Sequence, residues 1–102
     1  MKRKKSGTKR TDKHVRSHAI NRGHKRVKYF NENLIDFIEN EISSGNPQKR
    51  NNITFHDKQS KTRTVWKFMW KDQHYYAVYS KDMNQVCTFL TQEMIDGAHD
   101  GN

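Results

Sequence analysis

The apolar residues change period once along this chain, around Pro47, and that change restricts the fold to one class. Before it, residues 32–43 place Leu34, Ile35, Phe37, Ile38 and Ile42 at the spacing of a single helix face. After it, the apolar residues alternate. Residues 53–56 are a short alternating run. Residues 63–70 are the longest, with Trp66, Phe68 and Trp70 on one face and Val65, Lys67 and Met69 on the other. Residues 75–80 and 86–91, rich in β-formers, complete four strands. The connectors 57–62, 71–73 and 81–84 have hairpin length and turn-forming residues. The order predicts an α+β domain, with two N-terminal helices packed on a four-stranded antiparallel sheet. The sheet's other face, or its edge, is then left open.

A first helix is read over residues 12–28. Val15, Ala19 and Ile20, helped by Val27, give it a narrow core-facing stripe. Gly23 interrupts the pattern and is expected to bend or end this helix. The second helix takes Asn31 or Asn33 as its start signal, and Gly45 then Pro47 mark its end. With 102 residues there is room for one domain. The division is a flexible basic arm over 1–11, the domain over 12–92, and a polar tail over 93–102 that frays after a short turn around 93–95. Trp66, Phe68 and Trp70 are read as the core face of the sheet rather than a base-stacking platform. Tyr75, Tyr76 and Tyr79 divide between the two faces.

Charge is distributed unevenly. The formal net charge is +9. Residues 1–28 hold twelve Lys and Arg against one acid, Asp12, whereas residues 29–102 hold eight against ten. A polyanion partner is the simplest reason for such a concentration, with a solvated basic tail as the bland alternative. The candidate contacts to nucleic acid are Lys2, Arg3, Lys4, Lys5, Lys9, Arg10, Arg16 and Lys25, joined by Arg63 and Lys67 on the longest strand. The single cysteine, Cys87, lies in an apolar run and reads as a core residue. No Cys/His spacing resembles a zinc site, so neither a metal nor a cofactor is expected. No segment reaches the roughly 20 apolar residues of a membrane span. A cytoplasmic location is expected, that of the host if a phage encodes the chain.

His14, His18, Arg22 and Arg26 recur at intervals of four, so a helix aligns them as one polar ridge. RNA is cleaved without a metal when the ribose 2′-OH attacks its own phosphate. That reaction needs a base, cationic donors on the phosphorane and an acid for the leaving oxygen. Histidine suits the proton transfers and arginine the phosphate. The same ridge also serves plain phosphate contact, and that reading stays open.

The run Ser17–Arg22, then Arg26, with the closing segment Val86–Thr91, resembles the small ribonuclease toxins. These are the RelE/ParE, colicin-D and barnase-like group, including domains with an H-x-x-x-R-x-x-x-R opening. The segment around His18 and Arg22 also resembles the helix of the phage endoribonuclease RegB that carries a catalytic His. The resemblance spans roughly residues 14–91. It implies RNA cleavage in a cleft between helices and sheet, with His18 as base or acid, Arg22 and Arg26 on the phosphate, and Thr88 (or Thr91) as the polar residue of the closing strand. RegB-like enzymes carry a second catalytic His on the next helix. Asp36–Glu39 has none here, which leaves His56 or His74 to take that part.

The resulting expectation is a metal-independent endoribonuclease, toxin-like or a phage accessory protein, acting on RNA. Alternatives are a non-catalytic regulator that binds RNA or DNA through the basic third, and a small phage protein that inhibits a host enzyme. An antitoxin or a host protein is a further candidate partner.

Overall fold

The computed structural model describes residues 13–44 and 53–100, with side chains as far as Gly97. The basic arm, with Lys2, Arg3, Lys4, Lys5, Lys9 and Arg10, lies outside the described residues, as do Gly45 and Pro47. The elements run α1 (Lys13–Arg26), α2 (Asn33–Ser43), β1 (Ile53–Lys58), β2 (Arg63–Trp70), β3 (Gln73–Ser80), β4 (Gln85–Thr91) and α3 (Gln92–Asp100). The four strands form one antiparallel meander in the order β1-β2-β3-β4. The class is therefore α+β, with two helices ahead of the sheet.

The larger core lies between these helices and one sheet face. Leu34, Ile35, Ile38 and Ile42 come from α2, Ala19 from α1, and Val27 and Phe30 from the connection between the helices. They meet Ile53, Trp66, Phe68, Tyr75, Ala77, Tyr79, Val86 and Phe89. Phe37 departs from the helical stripe and is 47% exposed. Gly23 does not end α1, which runs on to Arg26. It is buried inside the helix, where an added Cβ would overlap the Phe30 ring. The residue is small because an aromatic ring sits against the helix backbone. At the start of α2 the capping position falls to Glu32, which makes no side-chain cap. The Asn31 amide oxygen instead accepts the Asn33 N–H at 2.9 Å, satisfying one donor of the first turn.

The second sheet face is not left bare. Val65, Tyr76, Val78 and Cys87 form a smaller cluster there, with Val15, Met83, Leu90 and Ile95 against it. Two β-bulges help to build it. One lies on β1 between Phe55 and Asp57, the other on β4 opposite Val78/Tyr79. Each inserts an extra residue, His56 and Cys87 respectively, and an inserted residue shifts the alternation by one. His56 accordingly meets the Tyr76 ring edge-on at 4.9 Å.

The chain after 92 forms α3 rather than a short turn followed by a fraying tail. Thr91 Oγ1 accepts the Met94 N–H at 3.2 Å as its cap, and Ile95 packs on the second cluster.

Candidate nucleic-acid site beside β4

The outer edge of β4 is where the two helices and the sheet meet. An edge strand carries unpaired backbone groups that need partners. Two side chains supply them. Arg26 Nη1 donates to the Phe89 carbonyl at 2.8 Å, and Val86 N–H donates to Glu39 Oε2 at 2.8 Å. Burial raises the Glu39 pKa above the carboxylate norm. The Val86 hydrogen bond and the Arg16 charge pull it back, while Asp36 adds to the rise. Arg16 itself pairs with Asp36 across α1 and α2 at 3.0 Å, so this candidate phosphate contact is engaged within the protein.

These contacts orient the ridge. Val15 packs on the cluster whose β4 member is Cys87. Arg22, seven residues on, points within about 20° of the same direction, and Arg26 within about 20° on the other side. Arg26 ties the end of this ridge to Phe89, and Arg22 is half-buried one turn earlier. On β4, Thr88 precedes Phe89 and pairs with Val78. Its hydroxyl is buried and, among the described residues, has no hydrogen-bond partner. His18 stands one turn before Arg22, on the exposed side. Its Nε2 accepts a long hydrogen bond, 3.4 Å, from Arg22 Nε.

Arg63 approaches from the opposite side. It pairs with Ser80, which pairs with Gln85, so it shares the level of the start of β4. Burial pushes the Cys87 thiol up, and the Arg63 charge partly opposes that rise. The cation therefore acts across β3 on the β4 bulge. Lys67 shares Arg63's strand face but lies four residues away, about 13 Å along β2, over Tyr76. Lys25 is exposed on the outer side of α1.

Of the residues the sequence singled out, His18, Arg22 and Arg26 share one ridge of α1, Arg26 reaches β4 at Phe89, and Thr88 and Arg63 stand on the sheet. Arg26 has a structural task there as well. His56 and His74 stand on β1 and β3. His56 borders a groove of about 420 Å³ with Asp57, Val65, Ile95 and Leu90 of β4. His74 lies four residues, about 13 Å, along β3 from Val78, the partner of Thr88. The three tyrosines of β3 are buried and their hydroxyls engaged, with Lys28 N–H, Gln92 and Asn84, so none is an exposed stacking surface.

No family model, curated protein or solved structure matches the chain.

Among the described residues, no group of three or more His, Cys, Asp or Glu side chains is placed to hold a metal ion. No helix among them is long and apolar enough to cross a membrane. What the α1 ridge offers chemically is imidazole and guanidinium groups side by side, tied through Arg26 to the edge of β4. Arg63 was legible as a strand-face cation. Its alliance with the β4 bulge was not, because it depends on the register across β3.

Proposed function

We propose that this chain is an RNA-binding protein that cleaves its substrate through the ribose 2′-OH, without a metal, at the flank of β4. The observation that carries the reading is the hydrogen-bonded pair His18–Arg22 on the α1 ridge, whose next member, Arg26, is tied to the edge of β4. Arg22 and Arg63 hold the non-bridging oxygens of one phosphate, which draws Arg22 away from the imidazole. His18 Nε2 then takes the 2′-OH proton. The 2′ oxygen bonds to phosphorus as the bond to the 5′ oxygen breaks. The leaving oxygen takes a proton from water, and His18 returns its own to solvent. Arg26 keeps its bond to Phe89 and adds positive potential from its remaining N–H donors.

The products are a 2′,3′-cyclic phosphate and a free 5′-OH. The test is an RNA oligonucleotide with a single 2′-deoxy residue placed at each mapped cleavage position. Loss of cleavage at the substituted position alone supports the mechanism. Continued cleavage there, or a 5′-phosphate product, contradicts it.

A second reading is RNA binding without cleavage. It is favoured by the positions of His56 and His74, which stand on β1 and β3 rather than on the α1 ridge with His18. In that case the basic third and Arg63 grip the backbone, and His18→Ala alters neither the RNA nor its affinity.

A further inference from the structure

Among the described residues, four that are not glycine hold a left-handed backbone: Tyr29, Lys71, Asp72 and Asn84. Lys71, Asp72 and Asn84 stand in the turns between strands, where hairpins use that conformation. Tyr29 stands between α1 and α2. Its φ is 58°, and it is third in a turn closed by the Phe30 N–H on the Val27 carbonyl at 3.2 Å. Glycine or asparagine usually fills such a position, and a bulky ring there is strained. The backbone around it is fixed. Lys28 N–H donates to Tyr75 Oη at 3.2 Å, and Trp70 Nε1 donates to the Lys28 and Tyr29 carbonyls at 3.0 and 3.3 Å.

The fold gains little from the ring held this way. Tyr29 is 75% exposed, and its side chain makes no hydrogen bond or ring contact among the described residues. Strain kept at an exposed residue without internal partners points to a partner outside the chain. The charge of the preceding helix selects that partner. Residues 13–31 hold six Lys and Arg and no Asp or Glu. Arg16 is paired with Asp36, Glu32 stands against Lys28, and Asp72 stands against Lys71 in the hairpin that follows Trp70. Arg22, Lys25 and Arg26 are left over at this end of α1, and the partner of Arg26 is a neutral carbonyl. Tyr29 follows Arg26 by three residues, so their Cα atoms are at most about 11 Å apart. A strand of phosphates held by the ridge therefore passes within reach of the ring.

We propose that Tyr29 is the residue on which an unpaired base of RNA stacks, while the phosphates of the same strand follow Arg22, Lys25 and Arg26. Every base has a face that stacks on an aromatic ring, but inside a duplex both faces are covered by neighbouring pairs. An apolar protein side chain would leave the three cations unused, and a duplex would leave the ring unused. The phenol hydroxyl takes no part. This inference rests on the RNA reading above. It adds the residue that holds a base and a preference for single strands.

The experiment measures the affinity of the full chain for a short fluorescein-labelled single-stranded RNA and for its blunt duplex, in wild type, Tyr29→Asn and Tyr29→Phe. Asparagine suits the left-handed turn better than tyrosine, so Tyr29→Asn should melt at or above the wild-type temperature. It should nonetheless bind the single strand roughly five-fold or more weakly, with duplex affinity unchanged. Tyr29→Phe keeps the ring and should bind both forms as wild type does. Undiminished single-strand binding by Tyr29→Asn overturns the assignment, as does an equal loss on single strand and duplex. A loss in Tyr29→Phe as large as in Tyr29→Asn overturns it too, since the hydroxyl would then be the contact. So does a melting temperature of Tyr29→Asn well below wild type, because the ring would then serve the fold. If the wild type binds neither RNA, the RNA reading itself has failed and this inference falls with it.

Discussion

The Arg26 guanidinium donates to the main-chain carbonyl of Phe89 at 2.8 Å, tying the last turn of α1 to the outer edge of β4. A cation that the sequence places in a phosphate-binding ridge thus closes an open strand edge. Replacing it leaves a partly buried carbonyl without its charged donor. Arg26→Ala should cost about 1.5–3 kcal/mol of stability, the range for hydrogen bonds to charged groups. Urea denaturation measures this. Arg26→Ala should also lower RNA turnover less than Arg22→Ala when both are assayed on folded protein. Equal stability to wild type, with turnover lost, would assign Arg26 to the substrate instead.

Gly23 leaves its helix face open to the Phe30 ring. Alanine usually favours a helix over glycine by about 1 kcal/mol. Here the added methyl would overlap the Phe30 ring, which itself packs edge-on against Phe89 at 5.4 Å. Gly23→Ala should therefore destabilise, by about 1–3 kcal/mol as overpacked cores do. Adding Phe30→Leu should recover part of that loss in a double-mutant cycle. A Gly23→Ala variant more stable than wild type would show that the ring moves aside freely.

Glu39 carries a pH signature. Burial raises its folded pKa above the unfolded value, so the folded state holds a proton that the unfolded state has released. The favourable contribution is complete below the ordinary carboxylate range and is lost as pH rises through the raised value. Glu39→Gln retains an acceptor for the Val86 N–H and removes the titration. Melting temperatures from pH 4 to 7 should show wild type falling relative to the variant. A constant difference across that range would contradict the assignment.

Cys87 reports on Arg63. Burial holds the thiol above its ordinary value and the Arg63 charge partly offsets this. Arg63→Gln should raise the midpoint of thiolate absorbance further. An unchanged midpoint would mean that Arg63 does not act on the β4 bulge.

The strands were readable from alternation, and β2 was placed residue for residue because Arg63–Trp70 alternates without interruption between a charged turn on each side. The second cluster was not readable. It depends on bulges at His56 and Cys87, and an inserted residue leaves composition and average period almost unchanged. α3 was missed because Gly97 and a polar sequence mask it, although Thr91 at its cap and the Gln92–Asp96 pair four residues apart, 3.0 Å, were local signals. The ridge of His18, Arg22 and Arg26 was visible as helical spacing. That Arg26 caps an edge strand 63 residues away was not, since nothing in its own neighbourhood identifies that edge.

The decisive measurement compares wild type with His18→Ala on a purified RNA in the presence of EDTA, following strand scission and binding in the same samples. His18 is exposed on α1, so its removal should leave folding unaffected. Scission by the wild type, reduced about a hundred-fold or more in His18→Ala at unchanged RNA affinity, is the outcome expected of a general base. Bound but intact RNA with wild type, or equal scission by both proteins, would remove the imidazole from the chemistry and leave a basic surface that only binds.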